Sequence, residues 1–113
     1  MHERGLTRRL LRVVEEEARA RQLTRVKRVR LETGVLSETE RDTVRFNFKT
    51  AAYGTVAQDA ELDFDEHPVK AICPACLTEV LMTCHDQACA SCQAWPLSPV
   101  DGETFRITEL VAT

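Results

Sequence analysis

Four of the five cysteines in this 113-residue chain fall into two pairs of one pattern, Cys73-Pro74-Ala75-Cys76 and Cys89-Ala90-Ser91-Cys92. Two such pairs bring four thiolates together from two tight turns. That is a tetrahedral all-sulfur cage, and Zn²⁺ asks little of its ligands beyond that shape. Pro74 presets the first turn, because its ring fixes φ. The linker is slightly shorter than the commonest zinc spacing, yet two facing knuckles can span it. The same residues could instead form two disulfides in an oxidising compartment, and an iron site of rubredoxin type uses the same four sulfurs. Residues 1–12 are polar and Arg-rich with no apolar run of a secretory signal. That points to the cytoplasm, where thiols stay reduced and a metal is favoured over disulfides. Cys84 is the odd thiol: it stands free or competes for the metal, as His85 does.

A second set of donors opens the chain. His2 is too bulky for removal of Met1, so the free α-amine, the His2 amide nitrogen and its imidazole lie within a few atoms of one another. The amine has a reference pKa of about 7.7–8.0 and the imidazole about 6.5, so both shed protons for a metal near neutrality. Nitrogen donors of this kind suit Ni(II) or Cu(II), and an ionised backbone amide favours a square-planar arrangement. Glu3 adds a carboxylate beside them. The competing reading is a frayed terminus that binds nothing.

Periodicity supplies the elements that must position these groups. Residues 1–22 read as an amphipathic helix, with Leu6, Leu10, Val13, Val14 and Ala18 on one face and mixed arginines and glutamates around the rest. Residues 24–36 read as a strand in which Val29, Leu31, Thr33 and Val35 alternate with Arg28, Arg30, Glu32 and Gly34. Ser37-Glu38-Thr39-Glu40 is a capping box opening a second helix, with Val44, Phe48, Ala51 and Ala52 as its buried stripe and Gly54 at its end. A second strand runs from Ala60 to Glu66, with Leu62 and Phe64 facing in, and Pro68 breaks it. Residues 103–111 make the last strand, in which Phe105 and Ile107 alternate with Arg106 and Thr108. The expected fold is α+β: two helices on one face of a small three-stranded sheet, with an inserted zinc-ribbon-like module. Residues 1–69 plus 103–113 would form the α+β domain and residues 70–102 the zinc module.

Composition narrows the functions. The formal net charge of −3 gives no general attraction to polyanions, and only 5% of residues are aromatic. A zinc ribbon that binds nucleic acid needs basic and stacking surfaces, and the cysteine segment offers only Lys70 and Trp95 beside Glu79 and Asp86. No apolar run approaches the ~20 residues of a membrane span. No Ser-His-Asp set or phosphate loop is visible, and a four-thiolate zinc has no open position for catalysis. A redox switch built on the paired cysteines is the remaining rival. Oligomeric state stays open, with a swapped homodimer among the alternatives.

Met1-His2-Glu3, the amphipathic first helix, the Arg25-Val26-Lys27-Arg28-Val29 run, Gly34 before Leu36-Ser37, and the paired C-x-x-C motifs before a final strand occur here in one order. In that conjunction the chain resembles the HypA/HybF hydrogenase nickel-incorporation proteins over its whole length. The resemblance implies a nickel metallochaperone, not an enzyme. Nickel would bind at Met1, His2 and Glu3, with Glu40 at the position where some members supply a further acidic ligand; the capping role of Glu40 competes with that one. Zn²⁺ would sit at Cys73, Cys76, Cys89 and Cys92. The implied partners are a nickel-handling GTPase and the large subunit of [NiFe] hydrogenase, with urease maturation served by some members. Arg4-Gly5 and the Cys84-His85 pair depart from the family's usual pattern.

Overall fold

The computed structural model describes residues 3–100 and 105–112, with Glu3 and Arg4 placed by backbone alone. Helix α1 spans Glu3–Ala20. Its buried stripe is Leu6, Leu10, Leu11, Val14 and Ala18. Val13, expected on that face, is 47% exposed, and Leu11 takes its place. The stripe is centred on the i, i+4 series from Leu6 to Ala18, and Leu11 lies on its α2-facing side, where it lines a groove with Phe46 and Ala51. The helix stops at two crossed bonds, Leu23 N–H to Ala18 O (2.8 Å) and Gln22 N–H to Arg19 O (3.1 Å), with Gln22 at φ 58°. This is a Schellman stop made without its usual glycine.

Strand β1 spans Val26–Thr33, helix α2 Glu38–Ala51 and strand β2 Glu61–Glu66. The expected capping box is present. Ser37 N–H donates to Glu40 Oε1 and Glu40 N–H to Ser37 Oγ, both at 3.0 Å. β2 lies parallel to β1, from Arg28 opposite Glu61 to Thr33 opposite Glu66. Parallel neighbours need a crossover, and α2 supplies it. The last strand of the chain, β6 (Phe105–Ala112), pairs antiparallel with the other edge of β1, so the order is β2-β1-β6. Alternation in β6 holds from Phe105 to Ile107 and then breaks. Leu31 faces Ile107 while Arg30 faces Glu109, leaving Thr108 as an extra residue. The bulge lets Ile107 and Leu110 turn to the same side, although they are three apart. A second shift at Lys27 does the same for Val26 and Val29.

The helices share one face of this sheet. Leu10, Leu11, Val14 and Ala18 of α1 and Val44 and Phe48 of α2 pack with Val29, Leu31, Leu62 and Leu110. On the opposite face Arg28 bridges Asp63 (2.8 Å) and Glu61 (2.9 Å), and Arg106 bridges Glu32 (2.9 Å). Between β2 and β6 the chain forms three short strands: β3 (Val69–Ile72), β4 (Glu79–Met82) and β5 (Ser98–Pro99), in the order β4-β3-β5. They are too short for periodicity to reveal. They carry a second core of Ala71, Cys73, Met82, Cys89 and Leu97. The radius of gyration is 16.3 Å, against about 13 Å for a compact chain of this length. The two cores therefore sit end to end. At their junction an added Cβ on Gly34 would stand 2.8 Å from Val69 Cγ1, so a larger residue there would force Val69 to shift.

Candidate metal centre

Each cysteine pair is set in the same backbone loop. In the first, Cys73 N–H donates to Thr78 O (3.0 Å) and Leu77 N–H to Cys73 O (2.7 Å). In the second, Cys89 N–H donates to Ala94 O (2.9 Å) and Gln93 N–H to Cys89 O (2.8 Å). Both loops close through a left-handed residue at matching positions, Leu77 (φ 62°) and Gln93 (φ 66°). The β3–β4 hairpin holds the first loop, because Ile72 pairs with Glu79 on either side of it. Within each pair one cysteine is buried, Cys73 or Cys89, and one is exposed, Cys76 or Cys92.

The four sulfurs lie within 4.8 Å of one another, with Cys73 to Cys92 at 3.5 Å and Cys76 to Cys89 at 3.7 Å. A tetrahedron with metal–sulfur bonds of about 2.3 Å has edges of roughly 3.8 Å. A disulfide would need about 2.05 Å, and all five cysteines are free thiols. The cage is therefore sized for one tetrahedral ion, and the disulfide reading fails. Electrostatics prepares it unevenly. The Thr78 hydroxyl, then its amide, stabilise the Cys76 thiolate and lower its pKa to about 6. For Cys92 the Ala94 amide also favours the thiolate, but the neighbouring Cys73 thiol, desolvation, Cys76 and Cys89 outweigh it, and the pKa rises to about 12. Four thiols this close share protons, and a cation that replaces those protons relieves the crowding.

Cys84 is outside the cage. Its thiol donates to Asp86 Oδ1 at 2.6 Å, which holds the Asp86 carboxyl below its usual range. His85 meets the Trp95 ring edge-on at 6.3 Å. Of the amino-terminal donors, Met1 and His2 lie outside the described residues, and Glu3 is the first residue of α1. Glu40 spends Oε1 on the Ser37 amide. Sequence reasoning missed Thr78, the hydrogen-bond partner of Cys76; its signal is a hydroxyl residue two positions after a C-x-x-C pair.

A small α+β scaffold with a paired-knuckle cage of four thiols that could hold one metal ion defines the class of protein. The sequence model of the HypA family, described as hydrogenase/urease nickel incorporation, metallochaperone, matches residues 1–112, and the chain belongs to this family. A hydrogenase maturation factor HypA from Rhodopseudomonas palustris is 37% identical, over 97% of each chain. One from Moorella thermoacetica is 36% identical, over 95% of each. The solution structure of the Ni metallochaperone HypA from Helicobacter pylori superposes with a TM-score of 0.63 over 99% of this chain and 97% of that one, at 24% identity. The fold is thus shared, and the family consists of maturation factors, not catalytic enzymes. Among the described residues no helix is long and apolar enough to cross a membrane.

Proposed function

We propose that this chain carries Ni(II) on its amino terminus and delivers it to a maturing [NiFe] hydrogenase large subunit, or to urease. The donors are the Met1 amine, the His2 nitrogens and Glu3, with Glu40 as a further ligand. The names of the family and of its relatives support nickel handling and hydrogenase maturation. The supporting observation from the fold is topological. α1 leads into β1 and α2 leaves it, and both pack on one face of the sheet. Both helices therefore run back against β1, and the start of α1 lies at the end of the sheet where α2 begins. Glu40, in the first turn of α2, belongs to that end.

Zn²⁺ in the closed cage of Cys73, Cys76, Cys89 and Cys92 would fix the loops of the second core, as a structural and regulatory site. The terminal site has few protein donors, so ligand exchange can proceed through its open positions and the cargo can leave. A nickel-handling GTPase is the expected partner, and the cytoplasm the expected compartment. The division into residues 1–69 plus 103–113 and residues 70–102 follows from the same reading. The test is metal analysis of untagged protein after nickel exposure, alongside His2→Ala and amine-acetylated protein. The expected result is one zinc and one nickel per chain, with nickel alone lost from both altered forms. Equal nickel in all three would refute the terminal site.

A further inference from the structure

β2 is an edge strand, and among the described residues no strand pairs with its outer edge. His67 N–H donates to Thr33 O at 2.8 Å, continuing the β1–β2 ladder. Backbone groups alternate in direction along a strand, so the odd-numbered residues of β2 turn theirs to β1, and Leu62 and Phe64 turn theirs outward. Among the described residues no loop hydrogen bond reaches those outward groups. Beside them runs a groove of about 390 Å³ between β2 and α2, lined by Arg45, Lys49, Ala60, Glu61, Leu62 and Asp63.

The charges of the groove are one-sided. Glu61 and Asp63 are drawn to Arg28 on the far face of the sheet, at 2.9 and 2.8 Å. Arg45 sits over the Phe64 ring, 4.9 Å from its centre, and meets only Asp42 at 3.7 Å. Lys49 has no ion pair among the described residues. The helix wall is therefore cationic, the floor is apolar, and the strand edge offers unmet donors and acceptors.

We propose that the β2 edge receives an extended segment of a partner protein by strand addition, with carboxylates on the side chains that face α2. Main-chain bonds to Leu62 and Phe64 would supply the pairing, and Arg45 and Lys49 would select acidic residues at alternate positions. The outward-facing residues of that segment must be neutral or basic, because they lie beside Glu61, Asp63 and Asp65. A second copy of this chain is a poor occupant. Pairing two β2 strands sets those same carboxylates against one another. This surface makes no use of the nickel donors and stands whatever the outcome at the terminus.

The test uses the full chain and a fluorescein-labelled octapeptide of alternating glutamate and threonine, blocked at both ends. The expected result is a saturable rise in anisotropy, weakened tenfold or more by Arg45→Glu combined with Lys49→Glu, with far-UV circular dichroism unchanged. N-methylation of the threonines or of the glutamates should abolish binding in one series and spare it in the other, because only one set of amides meets the edge. No binding at about 1 mM peptide overturns the proposal. So does equal binding of a peptide with its glutamates in one block, which would report net charge alone, or indifference to both methylation series. A concentration-dependent dimer broken by the same double substitution would assign the edge to a second copy and also overturn it.

Discussion

Thr78 is the residue that bears most on the Cys76 thiol. Its hydroxyl lies 3.1 Å from Cys76 Sγ and helps to keep that thiol near pKa 6. Thr78→Val keeps the shape and the amide but removes the hydroxyl. Outer-shell partners of metal ligands typically contribute 10–100-fold to affinity. Zinc affinity of Thr78→Val, read by competition with a chromogenic chelator, should fall within that range; an unchanged affinity would show that the amide alone suffices. The proposed nickel donors would answer to pH in a definite sense. Protons would compete with Ni(II) for the His2 imidazole and the Met1 amine, so affinity should fall as pH drops through about 6.5 and recover above about 8. Isothermal titration at a series of pH values checks this, and a flat profile would point to carboxylate donors instead.

At the level of elements, Glu40 separates two roles by chemistry. Its Oε1 closes the capping box and its charge lies in the first turn of α2. Glutamine also serves at that position of a capping box, whereas alanine does not. Glu40→Gln should keep most of the stability and weaken nickel binding; Glu40→Ala should weaken nickel equally and lose about 1 kcal/mol in urea denaturation. Equal nickel affinity in all three proteins would leave Glu40 as a cap alone. This helix start was legible because Ser37 and Glu40 interact within one turn. The same locality made β1 and β2 legible as alternating runs. The bulges at Lys27 and Thr108 were not, because an extra residue has meaning only relative to the partner strand. The exposure of Val13 likewise depends on where α1 rests on the sheet.

For the whole molecule, two cores placed end to end imply two responses to perturbation. Two of the five residues in the second core, Cys73 and Cys89, belong to the sulfur cage. So small an apolar cluster cannot offset the ordering of its loops without a metal. Chelation should therefore abolish amide-exchange protection in β3 and β4 while leaving β1 protected; simultaneous loss in both sheets would mean that the cores are one cooperative unit. Their junction is tested at Gly34. Gly34→Ala drives a methyl against the stiff Val69 side chain, and overpacking of this kind costs typically 1–3 kcal/mol. Val69→Ala should recover part of that loss in a double-mutant cycle. Additive effects would place the strain elsewhere.

What the amino-acid order determined alone was local chemistry and local form: the two cysteine pairs, the capping box and the periodic faces, along with the proposal of donors at Met1, His2 and Glu3. All arise between residues within a few positions of one another, where covalent geometry leaves little choice. What the tertiary structure decided was partnership. It set β1 between a parallel β2 and an antiparallel β6, closed four thiols to tetrahedral spacing and, among the described residues, left the outer edge of β2 without a strand partner. Strand pairing joins residues tens of positions apart, and its register follows from which surfaces are buried together.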